Sequence, residues 1–471
     1  MLAAAPKPPN ILLILSDDHS YPHLGAYGDA NCQRFKLTPN LDSLAKQGIR
    51  FERAYTAAPQ CAPSRIAIFS GRSPVGLSAT RFAQPARSDT PLFTDTLREN
   101  GYWVGLDGRH QHLNGRVKGL PHVSATLEEL GMKGEVFESR FDHFVGHAST
   151  RGAALLKVGE KVGAVLDSIP EGKPWFLYLG FNQPHRPFGD DHSGIDPSCL
   201  VLPPDWPDLP EVRLDYARYL AELRDLDRGV GTILAALQSR QLDQNTLVIF
   251  MGDNGEALLR GKGTLVTRGI HVPLLIRWPG VIAPGRVSDE LVSGVDLAPT
   301  ILGAVGLERI DRMTGVSFLP ELRGQSFDGR RYVFAERGWH WGPIDRSDGF
   351  DLLRSVTTER YHLVYNAIPE RAFAPVDMLA NDRIAWKAIQ ASRSAGRLSE
   401  LHQRLLFQLP RPVFELFALD EDPFQLNNLA GSEAVSGIER ELRLQLDRWM
   451  VRESDYLPLP SHVHKYLSAG Q

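Results

Sequence analysis

The chain lacks the features that mark several protein classes. Only three cysteines occur in 471 residues, Cys32, Cys61 and Cys199, which is too few for a disulfide framework. No apolar run approaches the roughly 20 residues that a membrane-spanning helix needs. The net charge is −4, so no general basic surface attracts nucleic acid. We therefore expect a soluble globular protein with neither a membrane span nor a nucleic-acid partner.

Residues 1–9 have no basic segment followed by an apolar stretch, so we expect no intact signal peptide in them. Ala3-Ala4-Ala5 fits the remnant of a small-residue cleavage site and fits an unstructured start equally well. We expect a periplasmic or secreted protein, and a cytoplasmic location is the alternative.

Buried strands that alternate with helices dominate the first two thirds of the chain. Apolar runs at 10–15, 104–106, 175–180 and 246–251 predict strands buried on both faces. Apolar residues at helical spacing between 214 and 237 predict a long amphipathic helix. This alternation predicts an α/β fold, a large mixed and mostly parallel sheet sandwiched by helices.

A second, smaller domain is expected because the chain is too long for one ordinary core. The sequence changes character near residue 350, where short strand patterns at 354–365 and 414–419 flank a helical stretch at 382–406. We predict a large domain over residues 1–350. A smaller C-terminal α+β domain, with an antiparallel sheet and helices, is predicted over residues 351–471.

Acidic and amide side chains follow two of the predicted strands. Asp17 and Asp18 come after the first strand, and Asp253 and Asn254 come after the strand that ends at residue 251. Taken singly, such residues most often form turns and caps. Ligands of such sheets gather at the carboxyl ends of strands, so the four can also converge. Their oxygen atoms suit calcium or magnesium better than zinc.

The run Cys61-Ala62-Pro63-Ser64-Arg65 resembles the C-x-P-S-R element of the sulfatases, a formylglycine-dependent family with an alkaline-phosphatase-like fold. The resemblance extends in family order from Pro9 to Leu429. It implies that a formylglycine-generating maturation enzyme oxidises Cys61 to formylglycine, the nucleophile. It also implies that Ca2+, with Mg2+ as the alternative, is held by Asp17, Asp18, Cys61, Asp253 and Asn254.

The resemblance implies further catalytic residues around the sulfate. Arg65 lies beside the nucleophile and holds its hydroxyls. The run Gly108-Arg109-His110-Gln111-His112 is similar to the family's Gly-Lys-x-His element but departs from it twice. Arg109 replaces the lysine, and either His110 or His112 takes the role of the histidine. We favour His112 as the catalytic residue and keep His110 as a substrate-binding candidate.

Three other residues lie in segments that resemble family elements, although each alone is more often a solvated loop residue. His185, in Pro184-His185, is implied to reach the sulfate and the leaving-group oxygen. Lys262, between two glycines, is implied to bind substrate. His271 is a substrate-binding candidate near the same rim.

An aromatic cluster around a histidine occupies 336–341. Such a cluster most often packs at a domain junction, but an indole face and an imidazole also suit a sugar. The segment resembles the E-x-x-W-H element of some carbohydrate sulfatases, and the region 225–255 is similar to the sulfamidase type. The resemblance therefore implies substrate binding by Trp339 and His340.

The implied activity is hydrolysis of a sulfate ester or sulfamate on a small molecule or saccharide. The formylglycine hydroxyl attacks sulfur while His185 or Lys262 protonates the leaving atom. His112 then takes the proton from the second hydroxyl as sulfate departs. A phosphonate monoester or phosphodiester hydrolase of the same fold is one alternative, and a non-catalytic binding protein is another. The sequence leaves the oligomeric state open.

Overall fold

Two β-sheets organise the part of the chain that the computed structural model describes, a large one with eight strands and a small one with four. Helices cover the large sheet on both faces, and the small sheet forms with the last helix a separate layer toward the C-terminus. This arrangement confirms the predicted α/β fold with a smaller α+β domain. The described residues are 7–82, 87–109, 113–114, 121–146, 152–340, 349–375 and 384–462.

The large sheet is mixed and mostly parallel, as predicted. Its order is β4-β3-β5-β1-β6-β7-β2-β8. Strand β7 is antiparallel to both of its neighbours, and the other neighbouring pairs are parallel. The strands are β1 Asn10–Ser16, β2 Ile49–Tyr55, β3 Trp103–Gly108, β4 His143–Gly146, β5 Trp175–Gly180, β6 Thr246–Gly252, β7 Leu274–Arg277 and β8 Arg286–Ser293.

The central strand β1 explains why both faces must be covered. Side chains of a strand alternate between the two faces of the sheet. Leu12 and Ile14 belong to the core that includes the long helix Pro210–Ser239. Ile11, Leu13 and Leu15 belong to the core on the opposite face, which includes the helix Leu297–Ala304. An apolar run without polar interruption is thus the sequence signature of a strand with helices on both sides.

The long helix extends the predicted 214–237 stretch by one turn at its start, where Pro210 occupies the first turn. No helix among the described residues is both long and apolar enough to cross a bilayer. The α-helices are Ala30–Phe35, Pro39–Lys46, Cys61–Ser70, Phe93–Glu99, Pro121–Glu129, Glu135–Glu138, Val158–Asp167, Pro210–Ser239, Thr267–Ile270, Leu297–Ala304, Leu319–Leu322, Ile384–Ser394, Glu400–Phe407 and Ser436–Arg452. Short 3-10 turns span Gly25–Tyr27, Gly152–Lys157, Pro197–Cys199, Asp243–Asn245, Gly294–Asp296 and Glu433–Val435.

The small sheet is antiparallel throughout and has the order β12-β11-β10-β9. Its strands are β9 Val333–Trp339, β10 Phe350–Thr357, β11 Tyr361–Asn366 and β12 Phe414–Ala418. Leu446 and Met450 of the last helix pack on the sheet. Strand β9 precedes residue 350, so the sheet draws on both sides of the predicted domain boundary. The boundary itself stays a prediction.

The predicted helical stretch at 382–406 is two helices, Ile384–Ser394 and Glu400–Phe407, and its first two residues lie outside the described part. The break comes at Gly396, whose φ of +67° is in the left-handed region that glycine tolerates. Ser399 then caps the second helix by accepting a hydrogen bond from His402 N. The composition of this stretch favours helix throughout, but these two local signals divide it.

Candidate active site

Four buried side chains converge at the carboxyl end of the large sheet. Asp17 and Asp18 follow β1, and Asp253 and Asn254 follow β6. The strands are parallel neighbours whose last residues pair, so the two loops leave the sheet side by side. Asp18 N donates to Asp253 Oδ1 at 3.1 Å, and Asn254 Nδ2 donates to Asp18 Oδ1 at 2.9 Å. Four of the five predicted metal ligands therefore lie side by side, and Asp18 contacts both Asp253 and Asn254 directly.

Cys61 points into this carboxylate cluster from the first position of the helix Cys61–Ser70. Its Sγ lies 3.1 Å from Asp17 Oδ1 and 3.8 Å from Asp18 Oδ1. Burial and the nearby charge of Asp17 raise the pKa of the Cys61 thiol well above its usual range. The unmodified side chain is therefore a protonated thiol at neutral pH and a poor nucleophile.

Three cations neutralise the carboxylates. Arg65, one turn after Cys61 on the same helix face, donates through Nε to Asp253 Oδ2 at 2.9 Å and through Nη2 to Asp17 Oδ2 at 3.1 Å. Arg109 Nε lies 2.7 Å from the same oxygen of Asp17. Lys262 Nζ lies 2.7 Å from Asp18 Oδ1. The structure thus brings all three cations that were predicted from sequence to this cluster.

The pKa of Asp253 reflects the crowding of charge in this cluster. Burial and the charge of Asp17 raise the pKa of Asp253, while Arg65 and Lys262 act in the opposite direction. Buried carboxylates that share cations in this way also suit a divalent ion, because each has an oxygen to offer. Asn254 Oδ1 has no hydrogen-bond partner among the described residues and is a further oxygen that could bind a metal ion.

His185 lies at the edge of the cluster, with Nε2 3.7 Å from Asp18 Oδ2. One ligand atom from each of Asp17, Asp18, Cys61 and His185 lies within 4.8 Å of the others. His185 Nδ1 contacts the backbone carbonyl of Arg186. Arg186 is itself fixed by Asp215, to which Nη1 donates at 2.8 Å, so the loop that carries the histidine is anchored to the long helix.

Three predicted residues, His271, Trp339 and His340, can be located but lie outside the carboxylate cluster, and two others fall outside the described residues. His271 is stacked between Tyr21 and Tyr55, with ring centroids 4.0 and 4.6 Å away. Burial lowers the pKa of His271 to about 4, so the ring is neutral at physiological pH. His340 is fully buried and stacks on Phe82 at 4.9 Å. His110 and His112 lie outside the described residues.

Trp339 connects the small sheet to the start of the Cys61 helix. Gln60 Nε2, directly before Cys61, donates to Trp339 O at 3.1 Å. Phe82 N donates to the same carbonyl at 2.9 Å. Part of the Trp339 side chain remains exposed, whereas His340 next to it is buried. The end of β9 therefore lies beside the candidate nucleophile.

Tyr178 contributes to this site, although it was not singled out in the sequence. It lies in β5, and its hydroxyl contacts Arg65 Nη1 and donates to Arg109 O at 3.2 Å. In the sequence, the whole run 175–180 has the pattern of a strand buried on both faces. The signal that could have identified Tyr178 is that a buried phenol needs a hydrogen-bond partner, and a strand buried on both faces offers none locally.

Replacing Tyr178 with phenylalanine should destabilise the protein by about 1–3 kcal/mol, because a buried N–H of Arg65 loses its closest acceptor. The remaining acceptor, Arg109 O, is 3.4 Å away. Urea unfolding measures the change. Tyr102→Phe is the matched control, since its hydroxyl donates to a backbone carbonyl, that of Pro9, at 3.0 Å and not to a charged group's partner. Equal and small losses in both variants would contradict a supporting role for Tyr178.

Two protein-family models match this chain. A family model described as Sulfatase matches residues 9–307. A second model, described as N-sulphoglucosamine sulphohydrolase, C-terminal, matches residues 255–408. The first match covers both loops of the carboxylate cluster and the Cys61 helix. The second covers Lys262 and the strands β9, β10 and β11 of the small sheet.

Several curated proteins are similar over most of this chain. An "Ulvan-active sulfatase" of Formosa agariphila is 27% identical over 97% of this chain and 77% of its own length. Human N-sulphoglucosamine sulphohydrolase is 25% identical over 95% of this chain and 91% of its own length. N-acetylgalactosamine-6-sulfatase of Canis lupus familiaris is 30% identical over 76% of this chain and 72% of its own length.

Solved structures share the fold. One protein, in complex with its substrate D-glucosamine-2-N,6-O-disulfate, has a TM-score of 0.67 at 18% identity and covers 96% of this chain and 100% of its own. A phosphonate monoester hydrolase from Silicibacter pomeroyi also has a TM-score of 0.67, at 21% identity, covering 95% of this chain and 96% of its own. At these identities the similarity establishes the fold alone.

Proposed function

The chain belongs to the sulfatase family of sulfuric ester hydrolases, and from this premise we propose that it hydrolyses a sulfate ester or sulfamate on a carbohydrate. The family implies a metal ion and a formylglycine residue. We assign the formylglycine to Cys61, made by a formylglycine-generating enzyme, and the ion to calcium, with magnesium as the alternative. The observation that carries the proposal is the 3.1 Å contact between Cys61 Sγ and Asp17 inside a buried cluster of carboxylates and cations.

The state of the thiol supports modification of Cys61. In the absence of a metal ion, burial and the charge of Asp17 raise the pKa of the Cys61 thiol, which disfavours an unmodified cysteine as the nucleophile. A hydrated formylglycine supplies one hydroxyl for attack and a second through which the sulfate is released. Asp17, which accepts from the Cys61 side chain, is suited to orient the attacking group.

The carboxylate and amide oxygens fit a hard divalent ion. Asp17, Asp18, Asp253 and Asn254 would hold it, together with the modified Cys61. When bound, such an ion polarises a sulfate oxygen and favours the ionised form of the nucleophile. Oxygen donors alone favour calcium or magnesium over zinc.

The charge balance of the site supports an anionic substrate. The three aspartates of the cluster match the three cations Arg65, Arg109 and Lys262. A divalent ion therefore leaves an excess of two positive charges in a buried site. The sulfate group of a monoester is an anion that this excess attracts. Guanidinium groups bind such oxyanions in bidentate fashion.

Protonation of the leaving atom is assigned to His185, with Lys262 as the second candidate. The His185 Nδ1 contact is with a backbone carbonyl, which only accepts, so Nδ1 carries a proton. A protonated ring then presents its other proton on Nε2, the nitrogen that lies toward Asp18. That nitrogen is in a position to pass its proton to a departing oxygen or amine.

A saccharide is the favoured substrate class. The relatives include an ulvan-active sulfatase and an N-sulphoglucosamine sulphohydrolase, and the C-terminal family model of the latter matches this chain. Trp339 is partly exposed and its backbone carbonyl accepts from Gln60, next to Cys61, so its indole is a candidate to pack against a sugar ring. The decisive experiment is an assay of sulfated mono- and oligosaccharides, including N-sulfates, beside matched phosphate and phosphonate esters. Faster turnover of the phosphonate would instead favour a phosphonate hydrolase.

Trp339→Ala should lower kcat/KM for the sulfated sugar by about tenfold, and much less for nitrophenyl sulfate, because only the sugar extends beyond the sulfate.

His340→Ala is the companion variant. If His340 forms a hydrogen bond with the sugar, its replacement costs about 1–3 kcal/mol of transition-state binding on the sugar substrate alone. Equal losses on both substrates would assign the residue to packing, as its burial against Phe82 favours.

A further inference from the structure

A cavity lies between the small sheet and the loop that follows Lys262. Its volume is about 110 Å³, whereas one water needs roughly 10–15 Å³. It therefore admits a group with several heavy atoms. Four arginines line it, Arg260, Arg337, Arg404 and Arg411, together with the acidic residues Asp351 and Glu415. Because Arg260 is also paired with buried Asp205 at 3.2 Å, the arginines exceed the acidic groups by one charge.

Asp351 clamps two of these arginines. Arg337 Nη1 donates to Asp351 Oδ2 at 2.8 Å, and Arg411 Nη2 donates to Asp351 Oδ1 at 2.7 Å. Each oxygen of the carboxylate is thus engaged by one guanidinium. The clamp neutralises one positive charge of the pair and leaves the other uncompensated by Asp351.

Several buried donors lining the cavity lack an acceptor within the part of the chain that the structure describes. They are Arg337 Nε and Nη2, Arg411 Nε and Gln425 Nε2. Arg337 is 3% exposed and Gln425 is 1% exposed, so an acceptor for these donors has to lie inside the protein or in the cavity. Gln425 Oε1 accepts from Thr267 N at 2.6 Å, which fixes the orientation of the amide. Buried donors nearly always have an acceptor in native proteins.

We propose that this cavity is a binding subsite for an oxyanion, a sulfate or carboxylate group, distinct from the carboxylate cluster at Cys61. An oxyanion presents several acceptor oxygens, which donors from different segments of the lining can share. The guanidinium groups also prefer such ligands. A metal cation is disfavoured by the excess of arginines, and an apolar group would leave the donors unpaired.

The cavity is separated from the catalytic cluster by one loop. Gly263 lines the cavity, and its neighbour Lys262 contacts Asp18. Gly263 N also donates to Pro59 O at 2.9 Å, two residues before Cys61. Resting on the proposed function, the occupant is then a second acidic group of the sulfated saccharide. Free sulfate, the product of the reaction, offers the same chemistry from another source.

Gln425→Glu tests the subsite with little change of shape. The carboxylate still accepts from Thr267, but it replaces the Nε2 donor with a second negative oxygen that repels an anion. The ratio of kcat/KM for a disulfated over a monosulfated saccharide should fall about tenfold. Calorimetric affinity for inorganic sulfate should fall by a similar factor if the free product occupies the subsite.

Arg411→Gln should shift the same two readouts, and Arg330→Gln is its matched control. Both arginines are nearly buried, with side-chain exposures of 14% and 15%, and both pair with a buried aspartate. Only Arg411 lines the cavity. The control should leave the ratio and the sulfate affinity unchanged, and thermal unfolding verifies that each variant is folded.

The outcomes separate this inference from the proposed function. Wild-type turnover with both readouts unmoved by Gln425→Glu and Arg411→Gln would overturn the subsite and leave the sulfatase activity standing. No turnover of any sulfated substrate by the mature enzyme would overturn the proposed function. Sulfate binding that Gln425→Glu weakens and Arg330→Gln does not would still support the subsite. Absence of both turnover and sulfate binding would overturn both.

Discussion

Cys61→Ala should fold normally and lose turnover of every sulfate ester by at least about 10⁴-fold, because removal of a nucleophile leaves only binding and electrostatic effects. The side chain is fully buried and its Sγ contacts Asp17, so the alanine variant lacks any functional group at that position. Initial rates on a nitrophenyl sulfate measure the loss.

The peptide that contains Cys61 supplies an independent readout. In the wild-type protein from a host with the maturation enzyme, its mass should be lower than that of the cysteine form, because oxygen replaces sulfur. Cys32→Ala is the matched control, since Cys32 is also buried but lies in the core under the long helix. Near wild-type activity of Cys61→Ala would end the sulfatase mechanism proposed for this chain.

Chelation should reduce activity to background, and calcium or magnesium should restore it. Asp253→Asn should raise the calcium concentration needed for half-maximal activity by at least about tenfold, because the site loses one ligand charge. The variant keeps the size of the side chain and an oxygen that can accept from Asp18 N. Calcium titration of activity, and of thermal stability, measures the shift.

Asp205→Asn separates ion binding from general loss of a buried charge. Asp205 is a buried aspartate that pairs with two arginines, Arg260 at 3.2 Å and Arg268 at 3.1 Å. It resembles Asp253 in being a buried carboxylate that pairs with a buried arginine. It lies outside the cluster of Asp17, Asp18 and Cys61. The control should lose stability but keep the calcium dependence of the wild type. An identical calcium requirement in Asp253→Asn would exclude Asp253 as a ligand.

Local patterns predicted the main strands of the fold because a strand that is buried on both faces consists almost entirely of apolar residues. The run at 175–180 is the strand Trp175–Gly180 without change, and the run at 10–15 is Asn10–Ser16. The helical insert was less predictable. Its residues favour helix throughout, so the division at Gly396 depends on one backbone conformation rather than on the pattern.

The candidate site was predictable where chemistry is carried by a short motif. The cysteine, the arginine one helical turn later and the acidic pairs after two strands can each be read locally. Side chains whose role depends on their buried neighbours could not be identified in this way. Tyr178 looks like core in sequence, yet its hydroxyl joins Arg65 to the backbone of Arg109.

The sequence by itself determined the chemical repertoire of this protein: oxygen ligands for a hard ion, a cysteine in a maturation motif, and strands apolar enough to be covered on both faces. Only the tertiary structure decided which of these groups meet. Asp18 and Asp253 are 235 residues apart and touch because β1 and β6 are neighbours in the sheet. The arginine cavity likewise assembles residues from the loop after Lys262, the small sheet and the segment after β12. The physical reason is that strand order follows from burying both faces of the whole sheet at once, a long-range condition that no local pattern contains.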